Sequence, residues 1–143
     1  MSIEITVEGL GSGGDGVSRL DDGRVVFIPG GIPGDRVRVK LGTIRKKVQY
    51  AEIESLLEPS ADRVPSRCSV TACGGCAMRE ISQAAQEKFK PRRIVENLRR
   101  IGGISPEQYQ VDFYPAPAQW RYRHRVRLHT RWSGKSWRVG FFE

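Results

Sequence analysis

Alternating apolar and polar residues over the first 58 positions, a cluster of three cysteines and a helical apolar stripe over 81–101 predict an α+β chain. The expected order is a small OB-like β-barrel over 1–58, then a linker and cysteine-rich metal segment over 59–80. An amphipathic helix over 81–104 and the start of a β-rich domain over 105–143 follow.

The barrel rests on period two. Ile3, Ile5 and Val7 alternate with polar residues. Val17 to Leu20 and Val25 to Ile28 flank Asp21-Asp22-Gly23, a tight hairpin turn. Gly30 to Asp35 makes a second turn, after which Val37, Val39 and Leu41 alternate with Arg36, Arg38 and Lys40. A last strand around Tyr50 to Leu57 places Ala51, Ile53 and Ser55 on one face. Five such short strands fit a sheet that hides its edges by curling round. Gly11 to Gly16 satisfies G-x-G-x-x-G, but a dinucleotide site requires a helix next, and Val17 opens a hairpin instead. These glycines are expected to be turn residues at a barrel corner.

Cys68, Cys73 and Cys76 are spaced C-x4-C-x2-C around Gly74-Gly75, after the linker Pro59 to Arg67. Three close thiolates point to a metal, and both tetrahedral zinc and an iron–sulfur cluster want four ligands. The chain holds no fourth cysteine. Three readings stay open: an iron–sulfur cluster, zinc completed by His124 or His129, or no metal at all.

In the helix, Ile81, Ala85, Phe89, Ile94/Val95, Leu98 and Ile101 recur at three- and four-residue steps. Ser82 is the expected N-cap, Gly102 the expected stop, and Pro91 is expected to kink or split the helix. Beyond a Pro-containing stretch, Arg121, Arg123, Arg125, Arg127, His129 and Arg131 occupy every second position, the pattern of a strand with one basic face. The chain then stops at residues 139–143, in mid-strand by its pattern, so it is expected to be truncated.

Charge is unevenly placed. Of the net +8, residues 1–80 contribute nothing, with 11 Lys/Arg against 11 Asp/Glu, whereas residues 81–143 hold 13 against 5. Such concentration favours a polyanion partner, RNA being the natural one. No apolar run is long enough to span a membrane, and no signal peptide opens the chain. With an odd cysteine count, that predicts a reducing, cytoplasmic setting. No nucleophile–base set or carboxylate pair suggests catalysis within these residues.

The motif set, in order, is G-x-G-x-x-G-V, then Val25 to Val37 (V-V-F-I-P-G-G-I-P-G-D-R-V), the Cys-Gly-Gly-Cys segment, Gln86-Glu-Lys88 to Ile101-Gly102, and Trp120-Arg-Tyr-Arg123. Together it resembles the N-terminal portion of SAM-dependent RNA (uracil-5-)-methyltransferases that carry a TRAM domain and a [4Fe-4S] cluster, the 23S rRNA type rather than the tRNA type. The resemblance implies that Cys68, Cys73 and Cys76 are cluster ligands and that the fourth lies beyond residue 143. It implies RNA phosphate contacts from Arg36, Arg38, Lys40, Arg45, Lys46 and Lys47 on the barrel, with Arg121, Arg123, Arg125 and Arg127 as a second track. SAM, the nucleophilic cysteine that attacks uracil C6 and the general base would belong to a C-terminal domain absent from this chain, so no catalytic residue is expected here. His124 stands where such enzymes tend to have Asn. The alternative is a non-enzymatic, zinc-containing RNA-binding module; an electron-transfer protein fits the arginine pattern poorly.

Overall fold

The computed structural model describes residues 2–45, 48–70 and 73–142, with the side chain of Arg45 excepted. The strands are β1 (Ser2–Thr6), β2 (Gly9–Leu10), β3 (Gly16–Arg19), β4 (Val25–Ile28), β5 (Arg36–Arg45), β6 (Val48–Glu58), β7 (His129–Trp132) and β8 (Trp137–Gly140), with one α-helix, α1 (Gln83–Arg100). The first six form one sheet in the order β1-β5-β6-β4-β3-β2. All its pairings are antiparallel except β4 with β6.

The sheet's two outer strands, β1 and β2, are neighbours in the chain. Between them, the Val7 N–H donates to the Asp35 carbonyl (2.9 Å) and the Val7 carbonyl accepts from Gly34 (2.8 Å), both on the β5 side. One residue later the Glu8 N–H donates to the Val17 carbonyl (2.9 Å) on the β3 side. A single bent N-terminal strand thus changes partner and draws both edges together, leaving little open edge to template association. The expected five-stranded OB-like barrel holds, with its first strand broken in two.

Alternation sets the inside of the barrel. Val7, Val26, Ile28, Val37, Val39 and Ala51 are buried together, with Ile3, Ile5, Leu20, Leu41 and Ile53 packed around them. Each Val or Ile buried there contributes on the order of 1.5–3 kcal/mol. The hairpin turn falls where expected: Gly23 has φ +83° and donates to the Leu20 carbonyl (2.8 Å). A second cluster of Ile32, Ile81 and Ala85, flanked by Leu10, Met78 and Phe89, seats the start of α1 against the barrel.

Ser82 caps α1, its hydroxyl accepting the Ala85 N–H at 3.2 Å. The expected split at Pro91 does not occur; α1 runs unbroken through it. Proline removes one N–H and hence one rung, and a docked N-terminal turn together with cooperative pairing beyond retains the rest. The left-handed residue at the end of α1 is Gly103 (φ +63°), one position past the expected Gly102, and Ile104 N–H returns to the Leu98 carbonyl at 3.1 Å.

The strand expected over 121–131 is largely absent. Only His129–Trp132 pairs, with Trp137–Gly140, while residues 121–128 are irregular and exposed. Period-two patterning makes a face, but a strand also needs a partner for its backbone, and none of the described residues supplies one to 121–128. Arg121 itself has φ +61°, a left-handed conformation that costs a non-glycine residue about 1–2 kcal/mol. No helix among the described residues is long and apolar enough to cross a membrane.

Candidate nucleic-acid interface and cysteine site

The cysteine segment is held by its neighbours' polar atoms. The Ser66 hydroxyl accepts from the Cys68 N–H (3.2 Å) and donates to the Cys68 carbonyl (3.0 Å). Cys73 Sγ accepts the Gly75 N–H at 3.4 Å, and Gly74 donates to the Phe142 carbonyl at 2.9 Å. Arg79 reaches back to the Val70 carbonyl at 2.6 Å. Cys73 and Cys76 line one cleft of about 420 Å³ together with Gly14, Gly30, Arg79 and Glu80. Two thiols facing one cleft make a donor set suited to a thiophilic metal. Among the described residues, however, no three His, Cys, Asp or Glu side chains converge on one point. His129 stacks on Phe142 with ring centroids 4.3 Å apart, and His124 is exposed.

The Gly-rich turn of residues 11–16 forms the opposite wall of this cleft. No helix follows it, so the expectation of a plain turn holds. Gly14 has φ +95°, and a Cβ there would lie 2.7 Å from the Ala77 Cβ. Glycine is therefore required twice over: for its conformation and for the close approach of the cysteine segment.

The junction between barrel and cysteine segment is an ionic clamp that the sequence did not suggest. Asp35 is fully buried at the head of β5 and accepts the N–H groups of Ile32 and Ser60, each at 2.8 Å. Arg63 donates Nε (3.1 Å) and Nη2 (2.6 Å) to the same carboxylate. Its remaining donors reach Glu80 (2.6 Å) and the Gly30 carbonyl (2.7 Å). Burial works to raise the Asp35 pKa, but the Arg63 hydrogen bonds and the two backbone N–H groups outweigh it and hold the carboxyl below its ordinary range. The Arg63 pKa is raised in turn, chiefly by Asp35.

The basic residues divide into paired and unpaired. Arg36 bridges Glu58 (2.6 Å) and Glu4 (3.0 Å), and Arg38 binds Glu4 (2.8 Å), all at about half exposure. The Arg38 and then the Arg36 hydrogen bonds depress the Glu4 pKa. Lys40 is exposed and forms no ion pair among the described residues. The Arg45 side chain and Lys46 and Lys47 lie outside the described residues. Arg121, Arg123, Arg125 and Arg127 are all exposed, without carboxylate partners among the described residues, and the Arg123 guanidinium lies 5.6 Å over the Tyr122 ring.

Residues 2–53 match the TRAM domain family. Over these residues the chain is similar to TRAM domains. Beyond the TRAM domain, the similarity runs the length of the chain. An uncharacterized RNA methyltransferase of Listeria monocytogenes is 34% identical over 143 residues, covering 99% of this chain and 31% of that protein. The 23S rRNA (uracil(1939)-C(5))-methyltransferase RlmD of Bordetella parapertussis is 37% identical over 130 residues, covering 89% of this chain and 27% of that protein. The RlmD of Methylococcus capsulatus is 36% identical, covering 99% and 32%. The chain thus spans about a third of the length of the curated relatives it matches, at their N-terminal end. A solution structure of a conserved Methanococcus maripaludis protein is 39% identical over 38% of this chain and 76% of that one, with a TM-score of 0.35. The resemblance drawn from the motifs is borne out in the TRAM domain and in relatives named RNA methyltransferases.

Proposed function

We propose that this chain is the RNA-binding, cluster-bearing N-terminal portion of a cytoplasmic RNA m5U methyltransferase that acts on 23S rRNA. The observation that carries the reading is the coincidence of a TRAM domain with relatives named RNA methyltransferase along nearly the whole chain. The exposed arginines of residues 121–127 support RNA as the partner, since guanidinium groups without carboxylate neighbours are available to phosphates. Arg36 and Arg38 contribute less than the sequence implied, because Glu4 and Glu58 already neutralise them. Methyl transfer from SAM to uracil C5 is assigned to a domain outside this chain.

Cys68, Cys73 and Cys76 would hold the cluster, a [4Fe-4S] centre by family resemblance, with zinc the alternative. When bound, such a group would cross-link the cysteine loop. The chain's own contribution is the Gly75 N–H on Cys73 and the cleft wall that Gly14 leaves open. Metal analysis after anaerobic reconstitution distinguishes the two: iron with sulfide and a brown chromophore supports the cluster, and zinc alone supports the alternative.

The functional reading is tested by RNA affinity of the chain and of its Arg121→Ala/Arg123→Ala/Arg125→Ala/Arg127→Ala variant. The chain is expected to bind single-stranded RNA and the variant to lose at least about tenfold. Equal affinities would remove the arginine track from the account. The chain alone should transfer no methyl group from SAM, and m5U formed by the pure chain would overturn the assignment of catalysis elsewhere.

A further inference from the structure

Phe27 on β4 and Tyr50 on β6 are direct partners across the barrel's one parallel pairing. Their ring centroids lie 5.5 Å apart at a 34° tilt, within the range of favourable aromatic pairs. Both point away from the core, whose positions on these strands are Val26, Ile28 and Ala51. Tyr50 is 48% exposed although an aromatic ring gains much from burial, and its position is built rather than incidental. A Cβ at Gly11 would lie 2.9 Å from the Phe27 ring, so glycine there lets the Gly-rich turn brace that ring from beneath. A Cβ at Gly42 would lie 3.0 Å from the Tyr50 carbonyl, so β5 approaches β6 closely beside it.

Tyr50 forms one side of an open groove of about 540 Å³, with Pro29, Lys40, Leu41 and Glu52 around it. Lys40 and Glu52 are register partners across β5 and β6 and form no ion pair among the described residues. The neighbouring Arg24 is committed to Asp22 (2.6 Å) and to Gln49 (3.0 Å). This wall therefore offers an exposed aromatic face next to an unpaired ammonium, whereas the Arg36/Arg38 wall offers guanidiniums already bound to carboxylates. A ring for bases and a cation for phosphate are what single-stranded nucleic acid requires, because every base has a π-face.

We propose that Tyr50, braced by Phe27, is the barrel's base-stacking platform for single-stranded RNA, with Lys40 meeting the adjoining phosphate. The proposal deepens the RNA-binding reading and rests on it. Lys40 would supply charge, Tyr50 sequence-tolerant stacking, and Glu52 would keep phosphates from settling directly over the ring.

Titration of the full 143-residue chain with a labelled twelve-nucleotide RNA, and with the same backbone lacking bases, tests it. Tyr50→Ala should weaken binding of the intact RNA by about tenfold, while Tyr50→Phe, which keeps the ring, stays within about twofold. Tyr50→Ala should leave the slope of affinity against salt unchanged, whereas Lys40→Ala should lower it by roughly one ion. The wild-type chain should bind the baseless strand no better than Tyr50→Ala does. Tyr50 is half exposed, so both variants should retain the wild-type circular dichroism spectrum. RNA binding by the wild type that Tyr50→Ala leaves intact would overturn the platform and spare the RNA-binding reading; a surface that serves a protein partner gives this result. No RNA binding by the wild-type chain would overturn both.

Discussion

A carboxylate buried like Asp35 is costly unless paired and hydrogen-bonded, and Arg63, Ser60 and Ile32 supply that pairing. Removing the arginine leaves an uncompensated charge, so Arg63→Ala should lose about 3–5 kcal/mol in urea unfolding at pH 7. Arg63→Lys should not restore it, because one ammonium cannot span Asp35, Glu80 and the Gly30 carbonyl at once. The sign with pH follows from the depressed Asp35 pKa. Its stabilisation is fully present above the ordinary carboxyl value of 3.8 and is lost as pH falls through the lower folded value. The wild-type advantage over Arg63→Ala should therefore shrink below about pH 4, and a constant difference down to pH 2 would contradict the clamp. Gly14→Ala should destabilise by about 1–3 kcal/mol, and adding Ala77→Gly should recover only the steric part, since the positive φ remains. Neither feature was legible in the sequence. Asp35 and Arg63 are 28 positions apart in a stretch that reads as turn and linker, and only the closed barrel brings them together.

The elements differ in how far local pattern determines them. The barrel strands were legible because alternation and turn glycines agree, and their core uses residues 3 to 53 alone. Closure was expected too, but the way it is made was not, because the change of partner at Val7 and Glu8 rests on two backbone hydrogen-bond directions with no composition signal. A core confined to the barrel predicts independence from the thiols. Replacing Cys68, Cys73 and Cys76 with serine should leave amide-exchange protection at Val26, Ile28, Val37 and Val39 unchanged. Loss of protection there would show that the barrel depends on the cysteine segment. For α1, the Ser82 cap was legible and its continuity through Pro91 was not, since docking by Ile81 and Ala85 lies outside any local pattern. Ser82→Ala should reduce stability by about 1 kcal/mol, measurable by thermal unfolding followed at 222 nm, the usual helix wavelength. The arginine alternation over 121–128 was misleading for the complementary reason: pattern chose a face, but no partner strand came with it among the described residues.

At the scale of the whole chain, charge separates from structure. The neutral first half folds its acids against its arginines, as in Glu4 with Arg36 and Arg38, while the basic second half leaves its arginines exposed. That asymmetry pointed to the proposed polyanion partner, whereas the contrast between the ion-paired Arg36/Arg38 wall and the Lys40/Tyr50 wall appeared only once ion pairs could be seen. With the five cations proposed to meet phosphate, Lys40, Arg121, Arg123, Arg125 and Arg127, free of ion pairs among the described residues, binding should be dominated by counterion release. The most direct measurement is the affinity of the chain for single-stranded RNA between 50 and 200 mM salt. At about 0.7 ions released per neutralised phosphate, five contacts predict a fall of roughly a hundredfold across that range. Affinity that stays constant within about twofold would contradict an RNA-binding chain held by exposed cations.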